Sequence, residues 1–214
     1  MKVDIKKINY VVALHGDEVL PLQALKDNNI SHIIGNPKAV KAKKRFIEND
    51  LNAAFNRIDG TYESRRAQEI LAAIPDDEYV VDFHTTTATT PPFVIVVDKK
   101  MTHLASTTGV KKVVLMTYNI KNDGALINKR DGISIELGKH DDQKASYELP
   151  KKIIKNIQTQ KEHTIKLYEV YDKITEPGNY TNFKKHPEGF YPVLSGGKAY
   201  EKEGFYGMKA RLIQ

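Results

Sequence analysis

The stretch "INYVVALHGDE", residues 8–18, drives an apolar run into a histidine, a glycine and two acids. Its first seven residues, rich in valine and isoleucine, suit a strand buried on both faces. Five more runs of the same texture follow: "ISHIIG" (30–35), "EYVVDF" (78–83), "FVIVV" (93–97), "KKVVLM" (111–116) and "GISIEL" (132–137). Between them, "TYESRRAQEILAAI" (61–74) sets Tyr62, Ala67, Ile70, Leu71 and Ile74 near helical spacing. "SYELPKKIIKNIQTQ" (146–160) does so less cleanly, with Pro150 suited to a first helical turn. Strand and helix signals that alternate predict an α/β fold, a mixed, largely parallel sheet flanked by helices. After about residue 165 the texture changes to "TIKLYEVYDKI", "EPGNY", "HPEG" and "LSGG". The expected division is a main domain over 1–164 and a small β-rich C-terminal segment over 165–214, packed on it.

Bulk composition narrows the function classes. The 214 residues are 40% hydrophobic and 28% charged, as in an ordinary globular protein. With no cysteine, disulfides, thiolate metal sites and cysteine nucleophiles are excluded, leaving His, Asp and Glu as metal ligands. No stretch reaches the ~20 apolar residues of a membrane span, and "MKVDIKKINY" lacks a signal-peptide core, so a cytoplasmic protein without membrane contact is expected. The net charge of +6 invites a nucleic-acid reading. Its lysines, however, are dispersed in pairs with few interleaved aromatics, and no nucleic-acid partner is expected.

The chemistry gathers at strand ends. In open α/β sheets ligands collect beyond the carboxyl ends of the strands. The first run ends in His15 and Glu18, "EYVVDF" ends in His84, and "GISI" ends in Glu136. His15 and Glu18 fit one turn, and with His84 they form two nitrogens and one carboxylate, the ligand set of an open zinc site. Ferrous iron could take the same set. Glu136, a further carboxylate, is placed to serve as a proton acceptor. The segment "NPKAVKAKKRFIENDLNAAF" (36–55) carries Arg45, Asp50 and Asn52 among apolar residues, a pattern that a surface helix and its cap would also give. His140 with Asp141 and Asp142 reads as an exposed polar loop in preference to a second metal site.

Taken together, "HGDE", "NPKA", "RFIENDLN", "DFHTTT" and "ISIELG" resemble, in order and approximate spacing, the aspartoacylase and succinylglutamate desuccinylase family of zinc carboxypeptidase-like hydrolases. The likeness runs from about residue 8 to 140 and returns in "YPVLSGGKAYEKEGF". It implies one zinc ion per chain on His15, Glu18 and His84, with Glu136 as general base and Arg45 facing the scissile carbonyl. It also implies that Asn52 and Tyr200 touch a small-molecule substrate. The expected activity is zinc-dependent hydrolysis of an N-acyl amino acid or a related small amide. Its alternatives are a carboxypeptidase-like metallopeptidase and a non-catalytic metal-binding homologue. The oligomeric state is not readable. Two departures stand out. Ala53 follows Asn52 where the family usually has a carboxylate-clamping arginine, and Leu126 stands where aspartate-specific enzymes carry another. Arg57 and Arg130 are the candidates to replace them, and N-acetylaspartate is not the expected substrate.

Overall fold

The computed structural model describes residues 3–117, 123–197 and 204–214. Nine strands form one sheet in the order β2-β1-β3-β6-β4-β5-β7-β9-β8. They are β1 (Ile8–Val12), β2 (Ile33–Ile34), β3 (Tyr79–Thr86), β4 (Phe93–Val96), β5 (Lys112–Leu115), β6 (Gly132–Lys139), β7 (Lys166–Lys173), β8 (Tyr191–Val193) and β9 (Met208–Leu212). All six apolar runs therefore contribute a strand. The shortest, β2, keeps two residues, and the Arg66 guanidinium donates to the carbonyls of Ile34 and Gly35 at 2.7 and 2.8 Å.

Strands β2, β1, β3 and β6 are mutually parallel, whereas β4 runs against β6 and parallel to β5 and β7. The tail supplies β7, β8 and β9, which extend the same sheet, with β9 antiparallel to both its neighbours. The architecture is thus mixed and largely parallel, as the alternating pattern predicts.

Helices cover both faces because the central strands are apolar on both. On one face α1 (Val19–Asp27), α4 (Thr102–Thr107) and α5 (Leu149–Thr159) close a core that includes Val12, Phe83, Val94, Ile133, Ile135, Leu25, Leu104 and Ile153. α5 begins after a π-helical turn (Gln143–Glu148) capped by Asp142, which receives Ala145 N at 3.0 Å; Pro150 sits in its first turn. On the other face α3 (Tyr62–Ala73) and two 3₁₀ turns, Leu51–Ala53 and Leu126–Asn128, pack Ile70, Leu51, Phe55 and Leu126 over Val11 and Val80. Burying a large aliphatic or aromatic side chain contributes roughly 1.5–3 kcal/mol, so this second, smaller core holds the loops that carry the site. No helix among the described residues is long and apolar enough to cross a membrane.

The segment 36–55 is not one surface helix. Asn36 caps α2 (Pro37–Ala42) through Ala39 N at 3.0 Å, with Pro37 in the first turn. Lys43 then ends the helix in the left-handed conformation, and the chain turns back toward β1.

Candidate metal centre

The site begins where β1 stops. Ala13 has φ +56°, a left-handed conformation that costs a non-glycine residue about 1–3 kcal/mol, and it turns the chain from strand toward His15. Gly16 is required by close approach: a Cβ there would lie 2.2 Å from the Ala39 carbonyl carbon, 2.4 Å from Val40 N and 2.5 Å from Lys44 O. Its own N–H donates to Arg45 O at 2.9 Å. The glycine of "HGDE" therefore lets α2 and the Arg45 segment sit against the histidine. Glu18 ends the turn at the start of α1.

His15, Glu18 and His84 are all buried, and one ligand atom from each lies within 4.8 Å of the others. Glu18 stands between the rings: Oε1 is 2.7 Å from His15 Nδ1, and Oε2 is 3.2 Å from His84 Nδ1. Thr85 N donates to Glu18 Oε2 at 3.2 Å. The far nitrogen of each ring meets an aspartate, His15 Nε2 on Asp50 at 2.9 Å and His84 Nε2 on Asp82 at 3.1 Å. Each carboxylate can hold the hydrogen on Nε2 and leave the Nδ1 lone pair turned inward, the arrangement by which imidazole ligands are oriented. Asp82 lies two residues before His84 on β3, so strand alternation puts both on one face.

The electrostatics fit a cation. Burial opposes ionisation of Glu18, but the two imidazoles outweigh it and hold its carboxyl far below the usual range. Burial likewise opposes a charge on His84, yet Glu18 and Asp82 raise it well above an ordinary imidazole. Positive charge is what stabilises this cluster, and a divalent ion held by the two Nδ1 atoms and Glu18 would supply it. The donor set is that of an open metal site.

Glu136 joins from β6. It pairs in register with His84 on β3 and with Phe93 on β4. The residue is half-buried, but its Oε2 is buried and has no hydrogen-bond partner among the described residues. Burial raises its pKa to about 7, with the Glu18 carboxylate adding to the rise and His84, His15 and Arg45 opposing it. A carboxyl with that affinity for a proton suits general acid–base work near neutrality.

Arg45 completes the polar end, with Nη2 3.1 Å from His15 Nε2 and Nη1 3.5 Å from Glu18 Oε1. Its segment is pinned by a residue the sequence reading passes over. Glu63, in the first turn of α3 and fully buried, accepts Ile47 N at 2.7 Å and the Asn36 amide at 3.0 Å on one oxygen. Its other oxygen accepts Glu48 N and Asn49 N, each at 3.1 Å. Glu48 reciprocates by accepting Tyr62 N at 2.7 Å.

The structure brings His15, Glu18, Arg45, Asn52, His84 and Glu136 around one cavity of about 380 Å³. Asn52 stands at its rim, where its Oδ1 accepts Leu126 N at 3.4 Å. Arg57 is exposed and does not line the cavity. Arg130 is committed elsewhere, donating to Leu71 O at 2.8 Å and Ile74 O at 2.9 Å and pairing with Asp76 at 2.9 Å. Leu126 is buried in the core, while Ala125 and Ile127 on either side line the cavity. Tyr200 lies outside the described residues. His140 bonds Thr85 Oγ1 at 2.5 Å and Asp142 caps the π-helical turn; among the described residues they form no second metal cluster.

Comparison with known proteins places these residues in context. Residues 17–163 match the family model of the succinylglutamate desuccinylase/aspartoacylase catalytic domain. A probable aspartoacylase of Prochlorococcus marinus subsp. pastoris is 31% identical over 115 residues, 45% of this chain and 39% of that protein. A probable aspartoacylase of Nostoc sp. is 42% identical over 67 residues, 26% of this chain and 23% of its own. The chain thus aligns with less than half the length of these curated relatives. Among solved structures, murine aminoacylase 3 superposes with TM-score 0.76 at 17% identity, covering 97% of this chain and 95% of that one. The succinylglutamate desuccinylase of Chromobacterium violaceum gives TM-score 0.73 at 16% identity, covering 97% and 84%. These superpositions show the shared fold.

Proposed function

The chain belongs to the succinylglutamate desuccinylase/aspartoacylase catalytic-domain family, and from that premise we propose that it is a zinc-dependent amidohydrolase acting on small N-acyl amino acids or related amides. The observation that carries this reading is the partnerless, buried Glu136 oxygen beside the His15–Glu18–His84 cluster in one cavity with Arg45. His15, Glu18 and His84 would hold the zinc ion, which would supply a water acidified toward neutrality and a positive charge for the carbonyl.

The remaining work falls to this chain's side chains. Asp50 and Asp82 hold the two rings so that their Nδ1 atoms point at Glu18. Glu136, with a pKa of about 7, takes one proton of the attacking water and returns it to the leaving nitrogen. The carbonyl carbon gains a bond to the water oxygen and loses its bond to nitrogen, and the second proton of that water passes from the new carboxyl group to the amine, giving a carboxylate and an ammonium. The Arg45 guanidinium faces the oxygen on which negative charge develops. Asn52 retains its amide N–H₂ for the substrate, since its Oδ1 is occupied by Leu126 N.

The test is a hydrolysis screen of metal-stripped protein against N-acyl amino acids and dipeptides, with and without added zinc. Zinc-restored release of free amine from an N-acyl amino acid is the expected result. Activity on dipeptides alone would assign the site to a peptidase, and no release from any compound would overturn the reading.

A further inference from the structure

We infer that the amine half of the substrate carries an apolar side chain, in place of an acidic one. The inference rests on the amidohydrolase reading for one point alone, the position of the leaving nitrogen.

That nitrogen must lie within reach of Glu136, which returns its proton. Glu136 separates two unlike ends of the cavity. On the β1 side stand Arg45 and the two histidines. On the other side the cavity continues across the sheet face. Ser134 lies two residues before Glu136 on β6, and Ile95 of β4 pairs with Ser134 in register. Val97 lies two residues beyond Ile95, on the same face by strand alternation. Met116 follows β5 beside it, donating its N–H to Val96 O at 2.8 Å. Ile95 packs with Val97, Ala125 and Ile127 in one apolar cluster and with Met116 and Leu194 in another, and the polar Thr117 and Asn128 also line the cavity. A group attached to the leaving nitrogen, turned away from Arg45, comes to rest on Ile95, Val97 and Met116.

Charge points the same way. Among the described residues lining the cavity, Arg45 is the only arginine or lysine, and it stands at the opposite end. A side-chain carboxylate lowered onto Ile95, Val97 and Met116 would lose water without gaining an arginine or lysine among the described residues, which is costly. Arg57 and Arg130 do not relieve this, being exposed and bound to the end of α3 respectively. A chain of methylenes meets no such penalty, and each one buried favours the substrate roughly fourfold.

The experiment holds the acyl group constant and varies the amine half. Zinc-loaded wild-type protein is assayed on N-acetyl-alanine, -norvaline, -norleucine and -aspartate, whose shared α-carboxylate cancels in the comparison. Expected are a kcat/KM that rises about fourfold per methylene and a value for norleucine at least tenfold above aspartate. Met116→Arg, which puts a cation on the floor, should narrow or invert that ratio. Val97→Ala, a milder change, should flatten the methylene ladder with the melting temperature retained. A flat wild-type ladder, or aspartate equal to or better than norleucine, overturns the inference. If no compound is hydrolysed, the amidohydrolase reading fails, and calorimetric binding of N-acetyl-norleucine against N-acetyl-aspartate then decides. Tighter norleucine binding supports the apolar floor; equal or tighter aspartate binding rejects it.

Discussion

Replacing Glu63 by glutamine removes one charge and keeps the shape, so it isolates what that buried carboxylate does. Four donors converge on its two oxygens: Ile47 N and the Asn36 amide on one, Glu48 N and Asn49 N on the other. A glutamine can keep its oxygen toward one pair, but its N–H₂ must then face two donors of the other pair. A fully buried donor left unsatisfied costs about 1–3 kcal/mol, and Glu48 N and Asn49 N are only partly buried, so the substitution should cost roughly 1–4 kcal/mol. For a domain of this size that is a fall in melting temperature of about 2–15 °C. The same change should loosen the turn at 47–49, which lies between Arg45 and Asp50. Scanning calorimetry reads the first effect and kcat the second. The two roles separate in a double-mutant cycle, because a residue acting through Arg45 loses its effect on kcat once Arg45 is alanine. A melting temperature within 2 °C of wild type refutes the clamp, and fully additive losses in kcat refute the coupling to Arg45.

Glu63 also carries a pH signature. Burial opposes its ionisation, but the converging N–H groups outweigh it and hold its carboxyl below the usual carboxylate value. A depressed folded-state pKa means that the stabilisation is complete above the unfolded value, about 4.3, and disappears as pH falls through the folded one. The stability gap between wild type and Glu63→Gln should therefore be constant from pH 7 to about 5 and shrink as pH falls below the unfolded value of about 4.3. A gap that does not shrink with acid would assign the loss to packing.

The other predictions address the centre itself. His84→Ala should abolish both bound zinc, about one ion per chain in wild type, and activity; elemental analysis of an active, zinc-free wild type would contradict it. Glu136→Gln should keep the metal and lower kcat by roughly 10²–10⁴, and loss of the metal would make Glu136 a ligand. Arg45→Ala should lower kcat by roughly 10²–10³; a change in KM alone would move Arg45 to holding the substrate. Asp82→Asn should weaken zinc affinity by roughly 10–100-fold, measured by competition with a chelating dye, and unchanged affinity would show that Asp82 does not orient His84.

How much of this was legible in the sequence depended on how far each residue's partners lie along the chain. The six apolar runs are local patterns, and each became a strand because both faces of the sheet are covered. The helix over 61–74 appears as Tyr62–Ala73, with Thr61 capping it through Ser64 N at 3.3 Å. The histidines and Glu136 were visible as polar residues interrupting apolar strands. Asp82 was visible by the same rule, two residues from His84 within "VVDFH", but reads as an ordinary strand charge until His84 is known to be oriented. Glu63 carried no such mark. An acid in a first helical turn is commonplace, and its donors at 47–49 belong to an irregular segment whose path no periodicity gives.

The cavity's apolar floor was hidden for a related reason. Ile95 and Val97 read as core residues of a strand buried on both faces, and Met116 as the end of another. They border the site because β4 reverses direction beside β6, which sets Ile95 against Ser134 and carries the cavity across the sheet face beyond its edge. Strand direction is a property of the whole topology, and the run "FVIVV" is compatible with either. The rule that ligands gather at the carboxyl ends of strands accounts for β1, β3 and β6, which place His15, His84 and Glu136 together. It does not extend to β4 and β5, which run the other way. A cavity built across that reversal joins a polar end fixed by the parallel strands to a floor free to vary with the antiparallel one. Under the proposed function, substitutions at positions 95, 97 and 116 should alter which amine is accepted while leaving metal affinity at His15, Glu18 and His84 unchanged.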